Sequence, residues 1–388
     1  MQPAPQSIRE GGTGPLRHLP ATRPTRAEVD LPAMAQNLAA VRAVAGDARV
    51  YAVVKADAYG HGLVPVARWL ERQAVDGLCV ALAEEGLTLR ACGVTTPILV
   101  LSGAYADAHE RVLAAHLTPV IHGFAQAEAF ARASAGRSVS VHLKLDTGMG
   151  RLGIPVDELG PLLDALRRFP QLRIEGVMTH FSSADSDAAY TREQLAQFNG
   201  AVDAIRAQGH APRLLHAANS AATYNFPEAR FNLVRVGLAL YGVAPAPSAA
   251  GALQPVMRLR SEVLALRDLP AGSSVGYDRT HTTSRRARIA TVPIGYGDGL
   301  MRVASNRGAM LVRGTACPIV GRISMDLTTL DVTDAPGCEL GDEVVVIGRQ
   351  DGAEITAVQL ADACDTIAYE VLTSISPRVP RVYRGGQS

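Results

Sequence analysis

Residues 52–62, "AVVKADAYGHG", end an apolar run on Lys55 and follow it with Asp57, Tyr59, Gly60, His61 and Gly62. Lysine is rarely buried without a partner, so this one reads as a side chain that a strand delivers to a site. The run itself, residues 50–54, is the first of eight; the others are 78–81, 98–101, 119–121, 139–145, 174–178, 214–216 and 233–236. All are short, rich in Val, Ile and Leu, and lack strict polar alternation, the texture of strands covered on both faces of a parallel sheet. Amphipathic stretches such as "ALAEEGLTLRACG" and "TREQLAQFNGAVDAIRAQG" separate them at helical spacing. Repeated strand–helix units predict an α/β fold with an N-terminal (β/α)8 TIM-type barrel. A doubly wound open sheet is the alternative. Such sheets usually carry GxGxxG after the first strand, and this chain has none there.

Outward from the barrel the texture changes. Residues 242–255, "GVAPAPSAAGALQP", read as a linker, and beyond them β runs such as "ARIATVPIGYGDG" and "DEVVVIG" alternate with turn residues. The expected division is a disordered N-terminal extension over 1–23, a barrel over 24–255 and a mostly β C-terminal domain over 256–388. The early segment "AEVDL" precedes the eight runs and could be a strand of the β domain.

Bulk properties exclude several functions. With 388 residues, 47% hydrophobic and 19% charged, the chain has material for more than one core. Thirty-eight basic and 37 acidic residues leave a formal charge of +1, so no global field draws nucleic acid or an anionic membrane. The 5 cysteines are scattered without CxxC or Cys/His clusters, which suggests neither zinc nor a disulfide framework. No apolar stretch reaches roughly 18 residues, and the Pro/Gly/Arg-rich start lacks the apolar segment of a secretory signal. A cytoplasmic location is expected.

In such a barrel the active site lies past the C-terminal ends of the strands. There this sequence places Lys55 and Tyr59 (first run), Lys144, Asp146 and Arg151 (fifth), His180 (sixth), Asn219 and Ser220 (seventh), and Arg235, Gly237 and Leu238 (eighth). Each alone has an ordinary structural explanation: an ion-pair lysine, a satisfied core histidine, a salt-bridged arginine. Together they converge on one rim, with a Ser/Gly-rich end at runs seven and eight where barrels commonly bind phosphate. A phosphate pocket facing a lysine suggests pyridoxal 5′-phosphate held as a Schiff base. A Schiff-base sugar-phosphate aldolase fits these barrel facts nearly as well.

Five segments, "AVVKADAYGHG", "KLDTGMGRLG", "HAANSAA", "VGYD" and "GYGDG…GRISMD", resemble those of the alanine racemases, pyridoxal-phosphate enzymes of fold type III, and occur in that family's order. The resemblance implies that Lys55 carries the cofactor and is one catalytic base, and that Tyr277 is the other. It implies that Tyr59, Ser220, Gly237 and Leu238 bind the phosphate, that His180 lies beside the pyridine ring, and that Arg235 hydrogen-bonds the ring nitrogen. Lys144 matches a lysine carbamylated in many members, where the carbamate orients Arg151. Tyr296 and Met325 match residues of the substrate channel and carboxylate site. The family's dimers share each active site between subunits, so a homodimer is implied, with alanine as substrate and a role in peptidoglycan supply or D-alanine breakdown.

The residue types suit the chemistry. Racemisation removes a proton from one face of the α-carbon and returns one to the other, which two opposed bases supply. A guanidinium cannot accept a proton, so Arg235 keeps the ring nitrogen neutral and suits a racemase better than a transaminase or decarboxylase, which typically place a carboxylate there. One departure is Pro377, where well-known members carry a phosphate-contacting tyrosine. It leaves a broader-specificity, serine-accepting racemase as the nearest rival. A non-catalytic cofactor-binding protein is a further one, though those are usually a barrel alone.

Overall fold

The computed structural model describes residues 22–385; residues 1–21, most of the stretch read as a disordered extension, and residues 386–388 lie outside the described residues. Eight parallel strands follow the eight apolar runs: Arg49–Val53, Gly77–Val80, Ile98–Val100, Thr118–Ile121, Val139–Asp146, Leu172–Met178, Leu214–His216 and Leu233–Val236. Each pairs with the next as far as the seventh, and the eighth pairs back onto the first, giving the barrel that the repeats predict. The seventh and eighth strands share no ladder. Side chains and single backbone bonds lace that seam instead. The Arg235 N–H donates to the Ala218 carbonyl (3.0 Å), while Asn232 accepts from the Leu215 N–H (2.8 Å) and donates to the Arg213 carbonyl (2.7 Å).

The second half is mostly strands, as its punctuation predicts. Met257–Glu262 is central to its largest sheet, paired with Glu343–Gln350 on one side and with Arg26–Asp30 on the other. Arg26–Asp30 contains most of the "AEVDL" segment, and its other edge pairs in parallel with Arg381–Arg384. The first described strand is thus built into the sheet of the last. Glu28 sits buried at this junction among Arg26, Arg258, Arg260 and Arg384. A buried carboxylate without cations would be costly, so this cluster holds three strands from distant parts of the chain in one register. Arg23, just upstream, makes two hydrogen bonds to the buried Asp298 (2.8 and 2.6 Å).

Residues 242–255 do not behave as a free linker. Ala249 and Leu253 are buried in the barrel core, and Asn37 on helix Leu31–Ala45 grips the segment. Its amide donates to the Leu240 and Gln254 carbonyls (3.1 and 2.8 Å) and accepts from the Gln254 N–H (2.7 Å). Small residues let this Ala/Gly/Pro-rich stretch lie close to the helix, which composition alone does not reveal. Replacing Asn37 by Ala should destabilise the chain by about 2–3 kcal/mol through the buried groups left unpaired, read as a lower guanidinium unfolding midpoint.

Candidate active site

The stretch 55–62 leaves the first barrel strand in an unusual way. Ala56, Asp57, Ala58 and Tyr59 all have φ of +53° or +54°, and Gly60 follows at +77°. Bonds from the Ala58 N–H to Val54 O (2.9 Å) and from the Gly60 N–H to Ala56 O (3.0 Å) make it a single left-handed helical turn. L-residues resist this conformation by roughly 1–2 kcal/mol each. Four non-glycine residues bear the strain. What the turn achieves is placement. Lys55 stands half-buried at its start, and Tyr59 is buried at its end with its phenol against Gly237, where any Cβ would overlap the hydroxyl.

Around that hydroxyl lies a set of unused donors. Ser220 Oγ accepts from the Gly237 N–H (3.1 Å) and the Ala239 N–H (3.4 Å), which leaves its own proton free to donate. Among the described residues the Tyr59 hydroxyl and the N–H groups of Ser220 and Leu238 have no acceptor. Asn219 caps the turn beginning at Ser220 by accepting from the Ala222 N–H (2.9 Å). Converging free donors at two helical starts suit a phosphate monoester.

Arg235 enters from the eighth strand and is buried without a carboxylate. Its Nη1 donates to His216 Nδ1 (2.9 Å) and the His216 carbonyl (2.6 Å); Nη2 donates to the Thr179 and Ala217 carbonyls (2.7 and 3.1 Å) and lies 3.4 Å from His180 Nδ1. A guanidinium has five N–H donors, so only Nε–H is left for anything bound in the mouth. His216 Nδ1 must therefore accept, and its Nε2–H donates to His142 Nδ1 (2.8 Å). Burial and the Arg235 charge hold both histidines below their usual range, His142 at about 3, so the relay is neutral. Burial also pushes Arg235 itself down to about 10.

The other groups share this field. Burial, with Arg151 adding to it, lowers Lys55 and favours the neutral amine that condenses with an aldehyde. Lys144 is brought from 10.5 to about 8 by burial, then by Arg235 and Arg151. His180 falls well below its normal value for the same reasons, burial first. Two lowered amines, Lys55 and Lys144, and two guanidiniums, Arg151 and Arg235, thus line a basic mouth in which Arg151 makes no ion pair among the described residues. A phosphorylated aldehyde and an amino-acid carboxylate both fit it.

Tyr277 lies elsewhere. It follows strand Ser274–Val275 in the β domain and is 67% exposed, and its hydroxyl makes no hydrogen bond among the described residues. Tyr296 and Met325 are brought together with each other: the Tyr296 N–H donates to Ser324 O (3.0 Å) and the Gly297 N–H to Met325 O (2.9 Å). Pro377 is exposed beside that loop, between Ser376, which donates to Gly297 O (2.9 Å), and Arg378, which pairs with Asp326 (2.6 Å). Sequence reasoning missed His142 and His216, the support of Arg235, and Tyr369, whose ring lies 5.8 Å from that of Tyr59. His142 was findable, being two residues before Lys144 and so on the same strand face.

Comparison with known proteins agrees with this geometry. The N-terminal domain model of alanine racemase matches residues 29–245 and the C-terminal domain model matches 256–383. The alanine racemase of Sorangium cellulosum is 48% identical over 376 residues, 93% of this chain and 99% of that protein. That of Symbiobacterium thermophilum is 44% identical, covering 95% and 99%. The crystal structure of alanine racemase from a D-cycloserine-producing Streptomyces lavendulae superposes with a TM-score of 0.90 at 37% identity, over 95% of this chain and 98% of that one.

The depressed Lys144 carries a pH prediction. Its charged form is penalised in the folded chain fully below about 8, and the penalty fades as pH rises from there toward 10.5. Lys144→Met should therefore stabilise the cofactor-free chain in carbon-dioxide-free buffer at about pH 7, with the gain vanishing above the unfolded value of 10.5, as denaturant titrations at several pH values will read.

Proposed function

The chain belongs to the alanine racemase family, whose reaction is the pyridoxal 5′-phosphate-dependent interconversion of L-alanine and D-alanine, and we propose that it performs this reaction with two bases, Lys55 and Tyr277. The observation that carries the reading is Arg235, buried with a single spare donor, Nε–H, and no carboxylate in reach.

Bound in the mouth, pyridoxal 5′-phosphate would supply an electron sink conjugated to the substrate α-carbon. Lys55 would hold it; Tyr59, Ser220, Gly237 and Leu238 would take its phosphate; His180 would lie along its ring; and Arg235 would offer Nε–H to the ring nitrogen. The Lys55 Nζ, lowered by burial, takes or returns the α-proton on one face, serving the D-enantiomer. The Tyr277 Oη acts on the other face and serves the L-enantiomer. A phenol is a weak base near neutrality, so Tyr277 depends on the neighbours that the mouth supplies, His180 and Arg235. Arg151 and the backbone at Met325 receive the carboxylate, and Tyr296 narrows the channel. Lys144, neutral at pH values above about 8, is suited to take up carbon dioxide, and the carbamate would supply the anion that orients Arg151.

Tyr277 is solvent-exposed on its own chain, with Tyr296, Met325 and Leu327 also exposed in the same domain. This supports a homodimer in which Tyr277 of the partner subunit completes each site. We further read residues 24–255 as the barrel domain, which lends the strand Arg26–Asp30 to the sheet of the β domain at 256–388, and infer a cytoplasmic location and a role in D-alanine supply for peptidoglycan or in D-alanine breakdown. No helix among the described residues is long and apolar enough to cross a membrane.

Purified protein given single L-amino acids should form D-alanine from L-alanine far faster than D-serine from L-serine. Comparable rates would favour the broader-specificity reading. Lys55→Ala should lose the near-visible cofactor absorbance, and Tyr277→Phe should slow α-deuteration of L-alanine on the order of 10²–10⁴-fold while sparing that of D-alanine. Mixing these two inactive variants and allowing subunits to exchange should restore about a quarter of wild-type activity, since half of the dimers are mixed and each has one intact composite site. No recovery would mean that both bases come from one chain.

A further inference from the structure

His61 ends the stretch that decides the fold, and no chemistry above uses it. It is fully buried, and its ring lies against Tyr241, centroids 4.6 Å apart, which in turn stacks on Tyr59 at 4.7 Å. His61 Nδ1 is 3.1 Å from the Ala58 carbonyl and 2.9 Å from the Tyr59 carbonyl. Two carbonyl oxygens can only accept, so Nδ1 carries the proton, and Nε2 is left as a buried acceptor with no partner among the described residues. Burial brings the ring's pKa to about 4, so it stays neutral.

The two carbonyls belong to the left-handed turn, which four non-glycine residues enter at a cost. Such a turn persists only when its surroundings over-determine it. Other groups press on it from the far end of the chain. Arg381 Nε donates to the Gly60 carbonyl (3.0 Å), the Tyr383 hydroxyl donates to the His61 carbonyl (3.0 Å), and the Leu372 carbonyl abuts Gly60 where a Cβ would stand. Asp57 accepts from the Leu63 N–H (2.7 Å), and Glu85 accepts from the Ala56 N–H (2.6 Å). The backbone N–H groups of Gly60 and His61 also reach the Ala58 carbonyl, but among the described residues the His61 imidazole is the one donor to the Tyr59 carbonyl.

We infer that His61 is a positioning residue for cofactor phosphate: by donating one N–H to the Ala58 and Tyr59 carbonyls it holds the left-handed turn, and so fixes the Tyr59 hydroxyl beside Gly237 and Leu238. Arg381 and Tyr383 close the same clamp from the β domain. The inference rests on the reading of Tyr59 as a phosphate donor.

The test resolves the holoenzyme of its cofactor and refills the full-length protein with either pyridoxal 5′-phosphate or pyridoxal, following absorbance. Both aldehydes need Lys55 and a folded mouth, and only the first needs the phosphate donors. The dissociation constant for pyridoxal divided by that for pyridoxal 5′-phosphate therefore isolates the phosphate contribution from general damage. Tyr59→Phe should reduce that ratio about tenfold, the size of one hydrogen bond to a charged group; an unchanged ratio there defeats the Tyr59 reading itself. Given that loss, His61→Phe, which keeps the ring and removes the donor, should reduce the ratio similarly. His61→Asn, whose amide nitrogen stands where Nδ1 does, should restore most of it. Adding Tyr59→Phe to His61→Phe should cause no further loss. Should His61→Phe not fold, Tyr383→Phe, which loosens the clamp by one bond, should give a smaller fall in the same ratio. Equal weakening of both aldehydes, or no change in the ratio while Tyr59→Phe lowers it, overturns the inference.

Discussion

A guanidinium buried without a carboxylate is the constraint on which the rest of this active site depends. Arg235 is satisfied by three carbonyls and one imidazole, so its hydrogen bonds are made while its charge is left uncompensated. That charge helps keep His142, His180 and His216 neutral and lowers Lys144. It also makes the mouth receptive to anions. On the proposed function, a cofactor phosphate, an amino-acid carboxylate and a carbamate on Lys144 would be three ways of balancing one excess. An acid in place of Arg235 would reverse this electrostatic arrangement and offer the ring nitrogen a proton.

The second constraint is conformational. One left-handed turn connects the lysine of the first barrel strand to the tyrosine proposed to take the phosphate, and the C-terminal strand of the β domain braces it. The β domain is therefore more than the carrier of Tyr277. Its last segment, paired with Arg26–Asp30 beside the buried Glu28, also contacts the turn that follows the first barrel strand. This links the intergrown topology of the two halves to the precision of the site.

Much of this was legible in the sequence, for physical reasons. Strands buried on both faces leave apolar runs, so all eight barrel strands could be counted, and their ends fell within about two residues because polar site residues begin where burial ends. The motif from Lys55 to Gly62 marked the candidate site. Its backbone was hidden, since Ala56, Asp57 and Ala58 carry no composition signal for a left-handed turn; the contacts that sustain it, from Glu85, His61, Arg381 and Tyr383 among others, are distant or unremarkable in sequence. His142 and His216 look like core histidines until Arg235 is placed beside them. Residues 242–255 have a linker's composition and yet pack, because small side chains serve close approach as well as flexibility. Exposure of Tyr277 could not be read at all, as it depends on which surfaces the chain leaves uncovered.

The central claim is that Arg235 acts on the cofactor as a donor only, leaving its ring nitrogen without a proton. The most direct measurement is the nitrogen NMR shift of the holoenzyme refilled with cofactor labelled with nitrogen-15 in the ring. A shift in the unprotonated pyridine range, moving to the pyridinium range in Arg235→Glu, is the predicted result. A pyridinium shift in the wild-type protein would contradict the account.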